Sequence, residues 1–181
     1  MNSPSELQAL LRPLQLADLA DYKTLRDAML ARHEQAFSSE AADELARPAS
    51  SYQTRLHRAA GGLALFTLGA WVQGRLVGAL TCEREARGKT RHQAHLLGMM
   101  VADEHQGRGL GRALLARALT LLGQEPGLEM VTLSVTASNR AALALYRSAG
   151  FVRYGRLPRA VRLADGRYLD KDLMVRSLAA D

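Results

Sequence analysis

The chain has 181 residues, a formal net charge of +6 and 48% hydrophobic residues, and its calculated pI is near 10.0. This length allows one domain with a sizeable core, and the hydrophobic content is ordinary for a globular protein. The single cysteine, Cys82, cannot form an internal disulfide, which suits the cytosol. We therefore expect one domain over residues 1–181 in a cytoplasmic protein.

The sequence predicts neither a membrane nor a nucleic-acid partner. Its longest apolar stretch, residues 59–72, is broken by glycines and is shorter than the roughly 18 apolar residues of a membrane span. The N-terminus has no basic segment leading into an apolar run, so no signal peptide is predicted. The arginines are scattered without a five-residue basic block, which favours a solvated surface over a nucleic-acid site.

The first half of the chain alternates between strand and helix patterns. Residues 10–14 are typical of a strand, with Pro13 at its edge or end, and a helix follows to about residue 32. Residues 34–58 are predicted to be mostly helical, with an interruption near Pro48. Strands over 65–72 and 76–85 flank Gln73-Gly74 and form a predicted hairpin.

The second half places a glycine-rich turn between a strand and a helix. A turn at 86–89 leads into a long predicted strand over 90–101, and an amphipathic helix follows the glycines. Next come a strand over 130–135, a helix that stops at Gly150, and a last hairpin around Asp165-Gly166. No internal repeat, low-complexity tract or linker is evident.

The glycine-rich turn, Gln106-Gly107-Arg108-Gly109-Leu110-Gly111, is typical of a phosphate site. Such a turn points backbone N–H groups at one spot, and the positive end of the helix dipole adds to it. A nucleotide P-loop is excluded because no Lys-Ser or Lys-Thr follows the glycines. A dinucleotide fingerprint would need a third glycine where Arg112 stands. The turn predicts a phosphorylated cofactor, with a ligand-free glycine turn as the alternative.

A second motif runs from Asn139 to Phe151 and reads N-R-A-A-L-A-L-Y-R-S-A-G-F. With the Q-x-x-G-x-G of the first motif, it resembles the signatures of the GNAT superfamily of acyl-CoA-dependent N-acyltransferases. The resemblance covers roughly residues 12–175, and its specific part lies between 95 and 151. It implies an α/β fold whose mixed, mostly antiparallel sheet has about seven strands, splays between strands 4 and 5 and is flanked by about four helices.

The resemblance implies acetyl-CoA as the co-substrate and a set of residues around it. The pantetheine amides would pair with the backbone at Met99 and Val101, and Asn139 would contact the cofactor as well as cap a helix. A Cβ at Gly109 or Gly111 would obstruct the phosphate. The pyrophosphate would be surrounded by Gln106, Gly107, Arg108, Gly109, Leu110, Gly111 and Arg112. No metal is expected, because the five histidines lack ligand-like spacing.

Tyr146 matches the family's general acid, which protonates or stabilises the departing thiolate. A core aromatic on the helix face is the alternative. The resemblance also implies that Tyr146 borders the cofactor.

The general base is less firmly indicated. Lysine-acetylating members of the family carry a Glu eleven residues before the first motif position, and counting back from Gln106 gives His95. Imidazole titrates near neutral pH, which suits a base. Strand alternation would place His95 on one face with Leu97, Met99 and Val101, unless a bulge intervenes. A simpler interpretation is that His95 is a satisfied interior or edge histidine. Alternative bases are Glu83 and Glu85, acting through water, and Glu34.

The predicted activity is direct acetyl transfer to a primary amine in a ternary complex. No G-x-S-x-G nucleophile motif is present. By the resemblance, the acceptor pocket would lie within residues 26–52, 92–97 and 154–168. Its candidate residues are Arg26, Glu34, Phe37, Tyr154, Arg159 and Tyr168. This mixture could suit a small amine that carries a carboxylate and equally a peptide N-terminus, and a small molecule is slightly favoured.

Three alternatives stay open from the sequence. The protein could acetylate protein or peptide N-termini or lysines, or it could be a non-catalytic acyl-CoA-binding regulatory module. The donor could carry a longer acyl group than acetyl. Many relatives in the resembling family are dimers, and the sequence does not decide whether this chain forms a homodimer.

Overall fold

A computed structural model describes residues 9–56 and 64–178, which form one seven-stranded mixed sheet with helices on both faces. The strands are β1 (Leu10–Pro13), β2 (Ala64–Val72), β3 (Arg75–Arg84), β4 (Gln93–Val101), β5 (Met130–Thr136), β6 (Val152–Arg162) and β7 (Tyr168–Ser177). The α-helices are α1 (Leu19–Arg32), α2 (Ala41–Ala46), α3 (Gln53–Leu56), α4 (Leu110–Gly123) and α5 (Arg140–Ser148).

The strands lie in the order β1-β2-β3-β4-β5-β7-β6, and β4 with β5 is the parallel pair. Every other neighbouring pair is antiparallel. The predicted fold class, a mixed and mostly antiparallel sheet of seven strands, is confirmed. The first hairpin forms as predicted, since Gln73 and Gly74 take the left-handed φ angles of 50° and 76° that a tight two-residue turn requires.

Two hydrophobic layers cover the sheet. On one face, α4 and α5 bury leucines such as Leu114 and Leu122 against the strands. On the other face, α1 and α3 pack around Tyr22 and Tyr52, whose rings meet edge to face with centroids 5.5 Å apart. We therefore expect a functional site where this packing on both faces leaves the sheet open.

The sheet opens between β4 and β5. Their register runs from Gln93↔Met130 to His95↔Thr132, although β4 continues to Val101 and β5 to Thr136. The predicted splay between the fourth and fifth strands is confirmed. Because the two strands diverge after three residue pairs, the later part of β4 presents one backbone edge to a gap.

A bulge lies in β4 beside this gap. Thr81 faces Leu97 and Ala79 faces Met100, so two β4 residues oppose one β3 residue, and Gly98 takes a left-handed φ of 57°. The bulge reverses the alternation of side chains. Ala94 and Leu96 belong to the core under α4, and Met99 and Val101 pack against that same core. The common face for His95, Leu97, Met99 and Val101 was predicted for a strand without a bulge. Because the bulge is present, His95 and Leu97 lie on the face opposite Met99 and Val101.

Other boundaries differ in ways that local hydrogen bonds explain. The fourth strand begins at Gln93 rather than at residue 90, because Thr90 N bonds Arg87 O at 2.9 Å and Gln93 N bonds Thr90 O at 2.9 Å, which closes turns there. The helical segment after α1 divides on either side of Pro48, so five α-helices occur in the described residues where about four were expected.

Two sequence expectations reach beyond the described residues. Positions 57 and 58 of the predicted helical segment, and positions 59–63 of the longest apolar stretch, lie outside them. Within the described ranges, no helix has both the length and the apolar character needed to cross a membrane.

Candidate active site

The glycine-rich turn leads directly into α4 and leaves its first N–H groups open. Gly107 and Gly109 have φ angles of 71° and 80°, and Gly109 is the N-cap of α4. The first intrahelical bond runs from Ala113 N to Gly109 O at 3.0 Å, so the three preceding helical N–H groups have no partner within the helix. These groups and the helix dipole favour an anion at this position. Arg108 and Arg112 are exposed beside it.

The positions of the turn require glycine for different reasons. A Cβ on Gly107 or Gly109 would meet nothing within 4 Å, so their left-handed backbone is the requirement. A Cβ on Gly111 would lie 3.3 Å from Met99 Cε and 3.5 Å from Leu145 Cδ2. Gly111 therefore allows α4 to pack closely on β4 and α5, which the sequence analysis did not foresee.

Gln106 fixes the turn to the end of β4. Its side-chain nitrogen donates to Val101 O at 3.0 Å and to Asp103 Oδ1 at 2.9 Å. Asp103 Oδ1 also lies 2.6 Å from His33 Nε2, at the C-terminal end of α1. The hydrogen bond with His33, aided by Arg32, lowers the pKa of Asp103. The side chain of Gln106 thus positions the turn. This role is independent of the contacts that the backbone of Gln106 makes.

The backbone of β4 faces the gap at Met99 and Val101. Ala102 N donates to Val77 O at 2.8 Å, which directs residue 102 towards β3. Because backbone groups alternate in direction along a strand, Val101 and Met99 direct theirs away from β3. The gap therefore has backbone donors and acceptors along one wall.

Tyr146 lies at the bottom of the gap. The amphipathic α5 places it against Phe151, with ring centroids 5.9 Å apart, and leaves it 8% exposed. Its hydroxyl group donates to Met99 Sδ at 3.5 Å. Burial raises the pKa of Tyr146 to about 12, so the phenol keeps its proton at neutral pH.

Asn139 caps α5 through its side chain, because Oδ1 accepts a hydrogen bond from Ala142 N at 3.0 Å. Its carbonyl oxygen is therefore engaged in the fold, while its side-chain nitrogen has no hydrogen-bond partner among the described residues.

A cavity of about 250 Å³ joins the gap to the face covered by α1. Its described lining is Arg26, Ala36, Phe37, Ser38, Ser39, Arg55, Leu96, Leu97, Gly98, Met99, Ser134, Val135, Asn139, Ala142, Tyr146 and Lys171. We call it the central cavity. It brings Tyr146, Met99 and Asn139 of the predicted cofactor set together with Arg26 and Phe37 of the predicted acceptor set.

Several predicted residues lie elsewhere. Glu34 borders a second cavity of about 470 Å³ between the end of α1 and the end of β5, and this cavity shares Asn139 with the central cavity. Tyr154, Arg159 and Tyr168 are not among the described residues that line the central cavity. Arg159 stacks on Tyr168, with its guanidinium carbon 4.0 Å from the ring centroid, near the tip of the last hairpin.

His95 also stands outside the described lining of the central cavity. Its Nδ1 lies 2.5 Å from Thr132 Oγ1 and its Nε2 lies 2.8 Å from Glu85 Oε1. Both ring nitrogens therefore have partners, and these contacts fix the plane of the imidazole. Thr132 is on β5, so this contact ties the last paired residues of β4 and β5.

A buried ion pair behind the cavity was not predicted from the sequence. Arg26 Nε donates to Glu44 Oε2 at 2.8 Å, Tyr52 donates to the same oxygen, and both charged residues are 3% exposed. Burial alone would raise the pKa of Glu44, but hydrogen bonds from Arg26 and Tyr52 lower it to about 2. A pattern signal existed, since Arg26 stands next to Leu25 on the apolar face of α1.

Lys171 and Arg55 were missed as well, and no local pattern marks either residue. Lys171 lies opposite Thr136 in the register of β5 and β7, and its ammonium group donates to Ser38 Oγ. Within the described ranges, no three His, Cys, Asp or Glu side chains are placed to hold a metal ion.

The comparisons with known proteins all indicate the same class of protein. The chain matches the Acetyltransferase (GNAT) family over residues 23–151. Its structure is similar to an acetyltransferase of the GNAT family from Streptococcus pneumoniae, with a TM-score of 0.83 and 24% identity over 95% of this chain and 100% of that chain. It is also similar to yncA of Salmonella typhimurium, solved with its cofactor acetyl-CoA, with a TM-score of 0.77 and 21% identity over 96% of each chain.

Curated relatives match over shorter lengths. N-alpha-acetyltransferase MAK3 of Arabidopsis thaliana is 35% identical over 49% of this chain and 45% of its own length. Mycothiol acetyltransferase of Kocuria rhizophila is 56% identical over 30% of this chain and 18% of its own length. Spermidine N(1)-acetyltransferase of Vibrio cholerae is 35% identical over 44% of this chain and 45% of its own length. The chain thus spans less than half the length of each of these three relatives.

The splayed sheet, the glycine turn at the N-terminus of α4 and the tyrosine of α5 together form the candidate site. Since the family match covers most of the chain, the protein belongs to the Acetyltransferase (GNAT) family.

Proposed function

We propose that the protein is an acetyl-CoA-dependent N-acetyltransferase that acetylates the primary amine of a small molecule. The observation that carries this proposal is the gap between β4 and β5, which runs from the N-terminus of α4 to the hydroxyl group of Tyr146. The yncA structure with acetyl-CoA supports the choice of cofactor.

The proposed cofactor site follows the free backbone groups. The pyrophosphate takes the N–H groups at the start of α4, and Arg108 and Arg112 add positive charge at the rim. The pantetheine amides pair with the backbone of Met99 and Val101, in place of the β5 partners that β4 lacks there. Asn139 contributes the nitrogen of its side chain.

The proposed chemistry is direct attack in a ternary complex. The amine nitrogen attacks the thioester carbonyl carbon, the C–S bond breaks, and the sulfur leaves as a thiolate. Tyr146 donates its proton to that sulfur, which suits a phenol that is still protonated at neutral pH. The proton that the amine loses passes to a base.

His95 is the proposed base, as the sequence suggests. Its contact with Glu85 orients the ring and compensates the charge that the imidazole gains on protonation. Because the ring does not line the central cavity, the proton must reach it through an intervening group such as water. Glu83 lies beside His95 in the register of β3 and β4 and is the neighbouring alternative.

The central cavity of about 250 Å³ has room for a small amine, and the terminal residue of a peptide would fit the same volume. The relatives do not decide this, because their names include both an N-alpha-acetyltransferase and a spermidine acetyltransferase. A non-catalytic acyl-CoA-binding module is less well supported, because such a protein has no use for a buried phenol at the gap.

Calorimetric titration with acetyl-CoA tests the cofactor assignment. We expect saturable binding at one site per chain, weakened by added salt because phosphate contacts are electrostatic. An isotherm without saturation would contradict the proposal.

A further inference from the structure

The described residues that line the central cavity include cationic side chains but no acidic ones. Arg26, Arg55 and Lys171 line it, and none of the described lining residues is Asp or Glu. A cavity built for a polyamine or another cationic acceptor would need carboxylates here, because like charges at short distance repel.

The three cations differ in how they are compensated. Arg26 is neutralised behind the wall by the buried Glu44. Arg55 stacks on Tyr52, with its guanidinium carbon 5.5 Å from the ring centroid. Lys171 has only the hydroxyl group of Ser38 as a hydrogen-bond partner, and no carboxylate within salt-bridge distance among the described residues.

Among the described residues, the ammonium group of Lys171 therefore has no counterion. The residue is partly buried, and burial lowers its pKa with no opposing contribution from an acid. Removing a charged group from water costs free energy unless an opposite charge or hydrogen bonds compensate it. An anionic group of a ligand would supply that compensation.

On the basis of the proposed function, we propose that the acceptor is a small primary amine that carries a carboxylate, as an α-amino acid does, and that Lys171 binds this carboxylate. Arg55 adds positive charge to the same wall. The amine then points towards the bulge at Gly98 and the hydroxyl group of Tyr146, where the acetyl group arrives.

The same charges assist the reaction. A free alkyl amine is mostly protonated at neutral pH, and neighbouring cations favour its neutral form. The neutral amine is the nucleophile. Because Arg26 is paired with Glu44 and Lys171 would be paired with the carboxylate, Arg55 is the lining cation left to favour the neutral amine.

Matched pairs of acceptors test this directly. Each pair contains a free amino acid and its primary amide, and turnover with acetyl-CoA is followed by thiol release and by mass spectrometry of the product. We expect kcat/KM to be at least about tenfold higher for the amino acid, which corresponds to about 1.4 kcal/mol. Equal or faster turnover of the amides or of polyamines would overturn the proposal, as would carboxylate acceptors that never react although acetyl-CoA binds.

Substitution of Lys171 tests the residue itself. We expect Lys171→Met to raise KM for the amino acid about tenfold while KM for the amide changes little, and Lys171→Arg to keep most of the preference. The control is Lys89→Met, since Lys89 is exposed in the turn before β4. An unchanged preference in Lys171→Met would overturn the assignment. Turnover itself separates this outcome from failure of the proposed function. An unchanged preference still yields acetylated product, whereas failure of the proposed function leaves acetyl-CoA bound with no product from any small amine.

Discussion

Tyr146 has a sulfur atom rather than an oxygen as the partner of its hydroxyl group, and this determines its chemistry. Thioether sulfur is a weak acceptor, so the phenol is held in place without a strong competing hydrogen bond. Burial keeps the group protonated at neutral pH, since the pKa of Tyr146 is raised to about 12. A thiolate formed in the gap would be a better acceptor than Met99.

We expect Tyr146→Phe to lower kcat about 100-fold, because general acid catalysis typically contributes 10²–10⁴-fold. The dissociation constant of acetyl-CoA should change less than about threefold, since the ring still packs on Phe151. Steady-state kinetics and calorimetry on the same preparations provide the two values. A variant that binds acetyl-CoA normally and turns over at the wild-type rate would remove Tyr146 from the mechanism.

Glu44 has a structural role that can be separated from catalysis. Glu44→Gln leaves Arg26 buried without its counterion, and we expect the free energy of unfolding to fall by about 3 kcal/mol. The matched control is Glu40→Gln, since Glu40 is exposed just before α2. Urea denaturation at neutral pH measures both variants, and equal stabilities would refute the importance of the pair.

The same carboxylate predicts a direction of pH dependence. The pKa of Glu44 is lowered to about 2 in the folded protein, from its ordinary value of 4.5. Its contribution to stability is therefore complete above about pH 4.5 and is lost as the pH falls towards about 2. Denaturation curves between these values should show a steeper acid loss for wild type than for Glu44→Gln, and parallel curves would contradict the assignment.

At the scale of the elements, the turn before α4 needs a left-handed backbone and is also the proposed anion site. Gly109→Ala keeps the space free but forces a left-handed φ of 80° on a residue with a Cβ. We expect a loss of about 1 kcal/mol in stability and a weaker affinity for acetyl-CoA.

Gly88→Ala is the matched control for this turn. Gly88 also has open space around it, but it lacks a positive φ. Thermal unfolding and calorimetry should leave this variant close to wild type. If Gly109→Ala matched Gly88→Ala in both measurements, the left-handed backbone of the turn would not be what determines the site.

Sequence patterns predicted most elements because hydrophobic periodicity and turn residues are local signals. The hairpin at Gln73-Gly74, the glycine turn and α5 follow from residues close in the chain. A bulge in this strand was considered, but its position at Gly98 was not predicted, because a glycine in a strand does not reveal its φ. Neither Lys171 nor the contact of His95 with Thr132 could be predicted, because both depend on pairings between distant strands.

At the scale of the whole molecule, the sheet is incomplete where the cofactor is proposed to bind. The backbone of β4 after His95 lacks β5 partners, and acetyl-CoA would supply hydrogen bonds that complete this edge. The protein without cofactor should therefore be more open along β4 than along β3, which has strand partners on both sides.

Hydrogen exchange measures this difference. We expect acetyl-CoA to slow amide exchange at Met99, Val101 and the first turn of α4, and to change β1 and β2 little. Ligand at about 100 times its dissociation constant should also add about 2.7 kcal/mol of stability. Protection spread evenly over the sheet, or absent from β4, would place the cofactor elsewhere.

The central claim is that the gap between β4 and β5 delivers an acetyl group from acetyl-CoA to an amine. The most direct measurement incubates the purified protein with acetyl-CoA and a panel of amino acids and other amines, and counts free thiol and N-acetylated product together. We predict equal amounts of both, with a carboxylate-bearing amine as the best acceptor and a much lower rate in Tyr146→Phe. Saturable binding of acetyl-CoA without an acetylated product from any amine would contradict the claim.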